Sequence, residues 1–187
     1  APAALSPCVS VLLPALDAAG SIERMLASPR ARSFGAARLV VADHSSSART
    51  WDRLQPSGAG PRVRLLQTEA GGGAQRNWDR VTSAARGELL KLVCGDDIIY
   101  PTCLGDQVEA MDANPSVVLV AAQRDLIDAR GGILVSGRGL AGLTGRVPGR
   151  VAARHTVVAG STGFGEPACV LIRRESLVGA GGACGRD

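Results

Sequence analysis

Residues 9–13, 38–42, 63–67 and 89–93 are short aliphatic runs separated by longer stretches of mixed polarity, and this spacing constrains the fold more than any other feature. Parallel strands need a crossover of about a dozen residues or more, so the alternation predicts βαβ units and a mostly parallel sheet flanked by helices. Ser21 is a candidate N-cap, with Ile22, Met25 and Leu26 on one helical face, and a short helix is expected over 49–54. A helix over 74–86 stops at Gly87, and the run 89–93 reads as a strand buried on both faces. A helix over 102–113 ends at Asn114-Pro115, and 117–122 reads as another buried strand.

Beyond that point the pattern changes. Two short strands within 125–135 flank Ala129-Arg130-Gly131-Gly132 as a hairpin. Residues 137–149 hold five glycines and a proline without periodicity, which predicts a mobile loop. Residues 168–172 form a last strand, with a helix beginning near Arg174. The 187 residues are expected to form one domain, with a nucleotide-binding half over 1–123 and a partial acceptor-side half over 124–187.

Composition narrows the partners. The formal charge is +4, but only Lys91 among the 21 basic residues is lysine, a skew that suggests coding bias rather than a polyanion site. Five aromatic residues leave little to stack bases on, so nucleic acid is not an expected partner. Five cysteines, Cys8, Cys94, Cys103, Cys169 and Cys184, are odd in number and form no CxxC pair, which points to a reducing, cytoplasmic location. No apolar run approaches the roughly 20 residues of a transmembrane segment, and Pro2, Pro7 and Pro14 break any signal-peptide pattern near the start.

In an open α/β sheet, ligands gather outside the carboxyl ends of the strands. The residues there are Pro14, Ala15 and Asp17 after the first run, Asp43 and His44 after the second, and Cys94-Gly95-Asp96-Asp97 after the fourth. Adjacent Asp96 and Asp97 repel each other, and a hard cation shared with substrate phosphates would relieve that repulsion; Mg²⁺ or Mn²⁺ suits such oxygen ligands. Residues 71–77 open a helix and could offer N–H groups to an anion, with Arg76 beside them, but they match neither a dinucleotide fingerprint nor a Walker A loop. His44 and His155 suggest no catalytic triad. Cys94 has no basic sequence neighbour to activate it as a nucleophile.

In this order the segments resemble the family 2 glycosyltransferases, inverting enzymes with the GT-A nucleotide-sugar-binding fold. Val9-Ser10-Val11-Leu12-Leu13-Pro14 resembles the opening strand, and Leu39-Val40-Val41-Ala42-Asp43-His44-Ser45-Ser46 the second strand and its acidic turn. Gly73-Ala74-Gln75-Arg76-Asn77 and Ala84-Ala85-Arg86-Gly87-Glu88 resemble the helix and turn before the metal strand. Cys94-Gly95-Asp96-Asp97-Ile98-Ile99-Tyr100-Pro101 is similar to the acidic metal motif, and Gly165-Glu166-Pro167 with residues 170–174 to the acceptor-side segment.

The resemblance implies transfer of a sugar from a nucleotide-diphosphate sugar to an acceptor hydroxyl on a glycan, lipid or small molecule, with Mg²⁺ or Mn²⁺ as cofactor. It places Pro14, Ala15, Asp17, Asp43 and Arg76 in the nucleotide pocket, Asp96 on the ribose or metal, Asp97 on the metal, and Glu166 on the acceptor side. The sequence departs from the family at Ala42, in place of an acidic residue, at Asp17, where Asn is frequent, and at Cys94, in the first acidic place of the fuller motif. The catalytic base is expected on a helix beyond Gly181-Gly182, past the end of this sequence, so no catalytic residue is named. Other readings are a non-catalytic nucleotide-sugar-binding fragment and a sugar nucleotidyltransferase, although the latter needs a basic glycine-rich loop after strand one that residues 15–20 lack. A phosphorylated receiver module would need its acidic pair after the first strand.

Overall fold

The computed structural model describes residues 9–15, 37–44, 63–69, 73–160 and 163–181. The helices expected from Ser21 and over 49–54, and the site candidate Asp17, lie outside the described residues.

Strands β1 (Val9–Ala15), β2 (Arg38–His44), β3 (Val63–Thr68) and β4 (Leu89–Leu92) pair in parallel, β1 standing between β2 and β4 and β3 flanking β2. Helix α1 (Gly73–Ala84) precedes β4, and α2 (Cys103–Asp112) follows it. The two-residue period of the strands divides the core between the faces of the sheet. Val9, Val11, Leu13 and Ala15 cluster with Leu104 and Met111 of α2, whereas Leu12, Val40, Ala42 and Leu90 cluster with Val81 of α1 and with Ala85. Both faces are covered, which is why these strands read as unbroken apolar runs.

The sheet is completed by a strand from the far end of the chain. β8 (Val170–Arg173) lies antiparallel between β4 and the short β5 (Leu119–Ala121), giving the order β3-β2-β1-β4-β8-β5. Residues on both sides of position 124 therefore share one sheet. The expected buried strand over 117–122 is instead a three-residue, half-buried edge strand, because β8 takes the interior position beside β4. Arg173 holds this edge, donating from Nε to the Val117 carbonyl (2.8 Å) and from Nη2 to the Met111 carbonyl (3.1 Å). A 3-10 turn (Pro167–Cys169) leads into β8, and the short helix α4 (Arg174–Gly179) follows it.

The hairpin is β6 (Arg124–Ile127) and β7 (Ile133–Arg138). Asp128 Oδ1 accepts from the Arg130 and Gly132 amides, both at 2.8 Å, and fixes the turn. The glycine-rich segment is anchored, with the Leu140 amide donating to Gly163 O (2.9 Å) and Arg146 Nη2 to Ser116 Oγ (3.0 Å). Helix α3 (Gly149–Ala159) was not predicted by the sequence pattern. Its single buried residue is Ala152, so it lacks the apolar stripe that marks a core-facing helix.

Candidate functional site

The parallel strands β1, β2 and β4 open their carboxyl ends on one edge. Half-buried Pro14 and buried Ala15 end β1 and pair in register with Ala42 and Asp43 of β2. Asp43 is only 1% exposed. Asn77 of α1, also buried, clasps these ends: its Nδ2 donates to the carbonyls of Ala15 (3.0 Å) and Ala42 (3.1 Å), and its Oδ1 accepts from Thr68 Oγ1 (3.1 Å). One side chain thus joins β1, β2 and β3. Arg76, the preceding residue, is exposed and pairs with Glu69 across 3.6 Å.

β4 delivers the acidic pair. Beyond it the Val93 amide still bonds Leu12 O (2.9 Å), and then Asp97 folds back, its Oδ2 accepting from the Cys94 amide at 3.0 Å. Asp96 is exposed and Asp97 half-buried. Burial pushes the Asp97 carboxyl above its ordinary range, and the negative charges of Asp96 and Glu166 push the same way, against the Cys94 hydrogen bonds. The Cys94 thiol is pushed up to about 11 by burial, then by Asp97 and Asp96. It is therefore neutral near pH 7, as the absence of a basic sequence neighbour suggested.

Glu166 approaches from the loop before the 3-10 turn and forms an ion pair with Arg124 Nε of β6. Gly165 makes this approach possible. Its φ is +85°, and a Cβ there would lie 2.8 Å from Cys169 Sγ. Gly165→Ala is expected to destabilise the chain by about 1–3 kcal/mol through left-handed backbone strain and this clash, read as a lower midpoint in denaturant with unchanged slope.

Two further contacts tie the surroundings to the acidic turn. Tyr100 Oη donates to Asp125 Oδ2 (2.5 Å), and Asp125 Oδ1 accepts from Ser136 Oγ and the Gly137 amide, both at 2.8 Å. This secures the base of the hairpin beside the residues that follow Asp97. On β4, Lys91 is completely buried, a polar residue inside a run that reads as apolar. Its Nζ donates to Gln107 Oε1 of α2 (2.8 Å), and Gln107 Nε2 donates to Cys169 O (2.8 Å), linking the strand before the acidic turn to the segment that carries Glu166. Sequence reasoning missed Lys91, Gln107 and the clasping role of Asn77. The one available signal was a lone lysine inside an aliphatic run.

Burial lowers the Lys91 amine below its ordinary 10.5. Between its folded and unfolded values the unfolded chain binds more protons, so stability rises as pH rises through that window and falls as pH drops through the folded value. Denaturant unfolding across the alkaline range should show this rise, at up to about 1.4 kcal/mol per pH unit. Lys91→Met should flatten it.

Among the described residues no group of three or more His, Cys, Asp or Glu side chains is arranged to hold a metal ion. Asp96 and Asp97 fit a cation that completes its shell with phosphate oxygens, since one is exposed, the other is raised by burial and then by its anionic neighbours, and a cation would relieve the repulsion.

The parallel βαβ sheet with acidic turns at its carboxyl edge and an antiparallel strand threaded beside β4 defines an α/β fold of GT-A type. The sequence matches Glycosyl transferase family 2 over residues 10–178, and the chain belongs to that family. It is similar to an uncharacterized protein of Sinorhizobium fredii, 31% identical over 125 residues, covering 65% of this chain and 14% of the relative. Among solved structures it resembles glucosyl-3-phosphoglycerate synthase from Mycobacterium tuberculosis in complex with Mn²⁺, UDP and glucosyl-3-phosphoglycerate, at TM-score 0.60 and 20% identity over 91% of this chain and 58% of that one. It also resembles a mannosyltransferase from Pyrobaculum calidifontis in complex with GDP-Man and Mn²⁺, at TM-score 0.54 and 21% identity over 67% of this chain and 37% of that one. The chain thus spans only part of the length of each. Among the described residues no helix is long and apolar enough to cross a membrane.

Proposed function

We propose that the chain binds a nucleotide-diphosphate sugar at the carboxyl edge of β1, β2 and β4 and transfers the sugar to an acceptor hydroxyl in the cytoplasm. The observation that carries this reading is the half-buried Asp97 beside Asp96, raised by burial and then by the charges of Asp96 and Glu166, and set on the strand edge that also holds Pro14, Ala15 and Asp43. Asp43 and Arg76 serve the base or pyrophosphate, and Asp17, outside the described residues, belongs to the same nucleotide pocket. Arg76 reaches the phosphates by exchanging its exposed Glu69 partner. Asp96 and Asp97 hold Mg²⁺ or Mn²⁺, which when bound supplies the positive charge that neutralises the departing diphosphate. The acceptor oxygen forms the new bond to the anomeric carbon as the bond to the diphosphate oxygen breaks, and the hydroxyl proton passes to a base. Glu166, anchored by Arg124, orients the acceptor; no residue is assigned as the base.

Calorimetric titration of UDP, GDP and dTDP, each with and without Mn²⁺, tests the donor site. Metal-dependent binding of one nucleotide is the expected result. Binding of none, by a chain that melts cooperatively, would overturn the reading.

A further inference from the structure

Helix α3 is built with its valines and arginines outward. At about 100° per residue, Val157, Arg150, Arg154, Val158 and Val151 fall within one arc of about 120°, and all five are exposed, Val157 at 79% and Val158 at 77%. The small Ala152 faces inward instead. The surrounding chain is basic without relief: between Asp128 and Glu166 there is no acidic residue, while Arg130, Arg138, Arg146, Arg150 and Arg154 lie in that interval. Among the described residues, none of these five arginines forms an ion pair with a carboxylate.

We propose that this outer stripe of α3 docks the protein on an anionic lipid bilayer. Charge complementarity selects this occupant. Arginine guanidiniums bind lipid phosphates at the headgroup level, while short aliphatic side chains beside them enter the boundary with the acyl chains. Val157 and Val158 form the apolar tip at the end of the helix, and Arg150 and Arg154 lie one to two turns behind it, so contact is shallow and depends on anionic lipid. A second copy of the stripe is a poorer occupant, because an antiparallel two-fold pairing brings Arg154, at the middle of the helix, against its own counterpart. Nucleic acid would meet the arginines but leave the three valines in water.

Flotation of the 187-residue chain, without nucleotide, with vesicles of phosphatidylcholine alone or with about one third phosphatidylglycerol tests this separately from the donor site. Binding is expected to the anionic vesicles only and to weaken as salt is raised. The double substitution Arg150→Gln/Arg154→Gln should lower partitioning about 25-fold, at about fivefold per charge. Val157→Ser/Val158→Ser should lower it about tenfold, while Arg80→Gln, an exposed arginine on α1, leaves it unchanged. Three results would overturn the proposal: no binding to anionic vesicles, an Arg80→Gln effect as large as that of the stripe variants, or stripe variants that convert a dimer to a monomer with vesicle binding intact.

Discussion

Asp97→Asn is expected to weaken Mn²⁺-dependent nucleotide binding by about 100-fold while leaving the fold unchanged. The turn after β4 is closed by the Cys94 amide donating to Asp97 Oδ2, and an asparagine carbonyl accepts the same bond. The substitution therefore removes charge without opening the turn. It also removes a half-buried carboxylate that burial, Asp96 and Glu166 all disfavour in ionised form, so the apparent stability without metal should hold or rise slightly. Loss of supporting contacts around a metal ligand typically costs about 10–100-fold in affinity, and loss of a direct ligand belongs at the upper end or beyond. Calorimetry in parallel with thermal melting separates the two effects. If Asp97→Asn binds nucleotide with the same metal dependence as the parent chain, Asp97 is not a ligand.

Asn77→Ala should produce the largest loss of stability of any single polar substitution in the site, about 3 kcal/mol. Three buried hydrogen bonds disappear together, and the Ala15 and Ala42 carbonyls lose the amide that reaches them from α1. Water has little access, since Ala15, Ala42, Thr68 and Asn77 are all buried, so the desolvation cost of the stranded groups is felt nearly in full. For a chain of this size the shift corresponds to a melting temperature lower by about 6–12 °C. Nucleotide affinity should fall as well, because the same side chain sets the spacing of the β1 and β2 ends that carry Pro14, Ala15 and Asp43. Asn77→Asp is the discriminating control: it keeps an acceptor for Thr68 but loses both donated bonds and introduces a buried charge, and it should be at least as destabilising. A change of less than about 1 kcal/mol in Asn77→Ala would show that the strand ends are held by their ladder alone.

Both experiments turn on residues whose legibility in the sequence differed. Asp97 stood out because an acidic pair directly after a buried aliphatic run has few structural uses, and strand position alone places it on the carboxyl edge, where open α/β sheets gather their ligands. Asn77 was visible only as part of a helix-opening segment. Its partners lie 62 and 35 residues away for the two carbonyls, and nothing in local periodicity announces them. The same holds for Lys91, whose run reads as apolar and whose amine is satisfied by Gln107, sixteen residues later on α2. Helix α3 escaped notice for the opposite reason: its valines face away from the core, so the pattern that reveals a packed helix is missing.

By itself, the sequence determined the alternation of strands and crossovers, the carboxyl edge on which the acidic turns gather, and the family to which these motifs belong. These follow from local rules: a two-residue period for strands, turn residues at their ends, and crossovers long enough to return parallel. The tertiary structure alone decided the antiparallel insertion of β8 beside β4, the Asn77 clasp, the buried Lys91–Gln107 link, the Arg124–Glu166 pair and the outward valines of α3. Each depends on which distant residues meet once both faces of the sheet are covered. A polar side chain is stable in that interior only where a partner arrives from elsewhere in the chain.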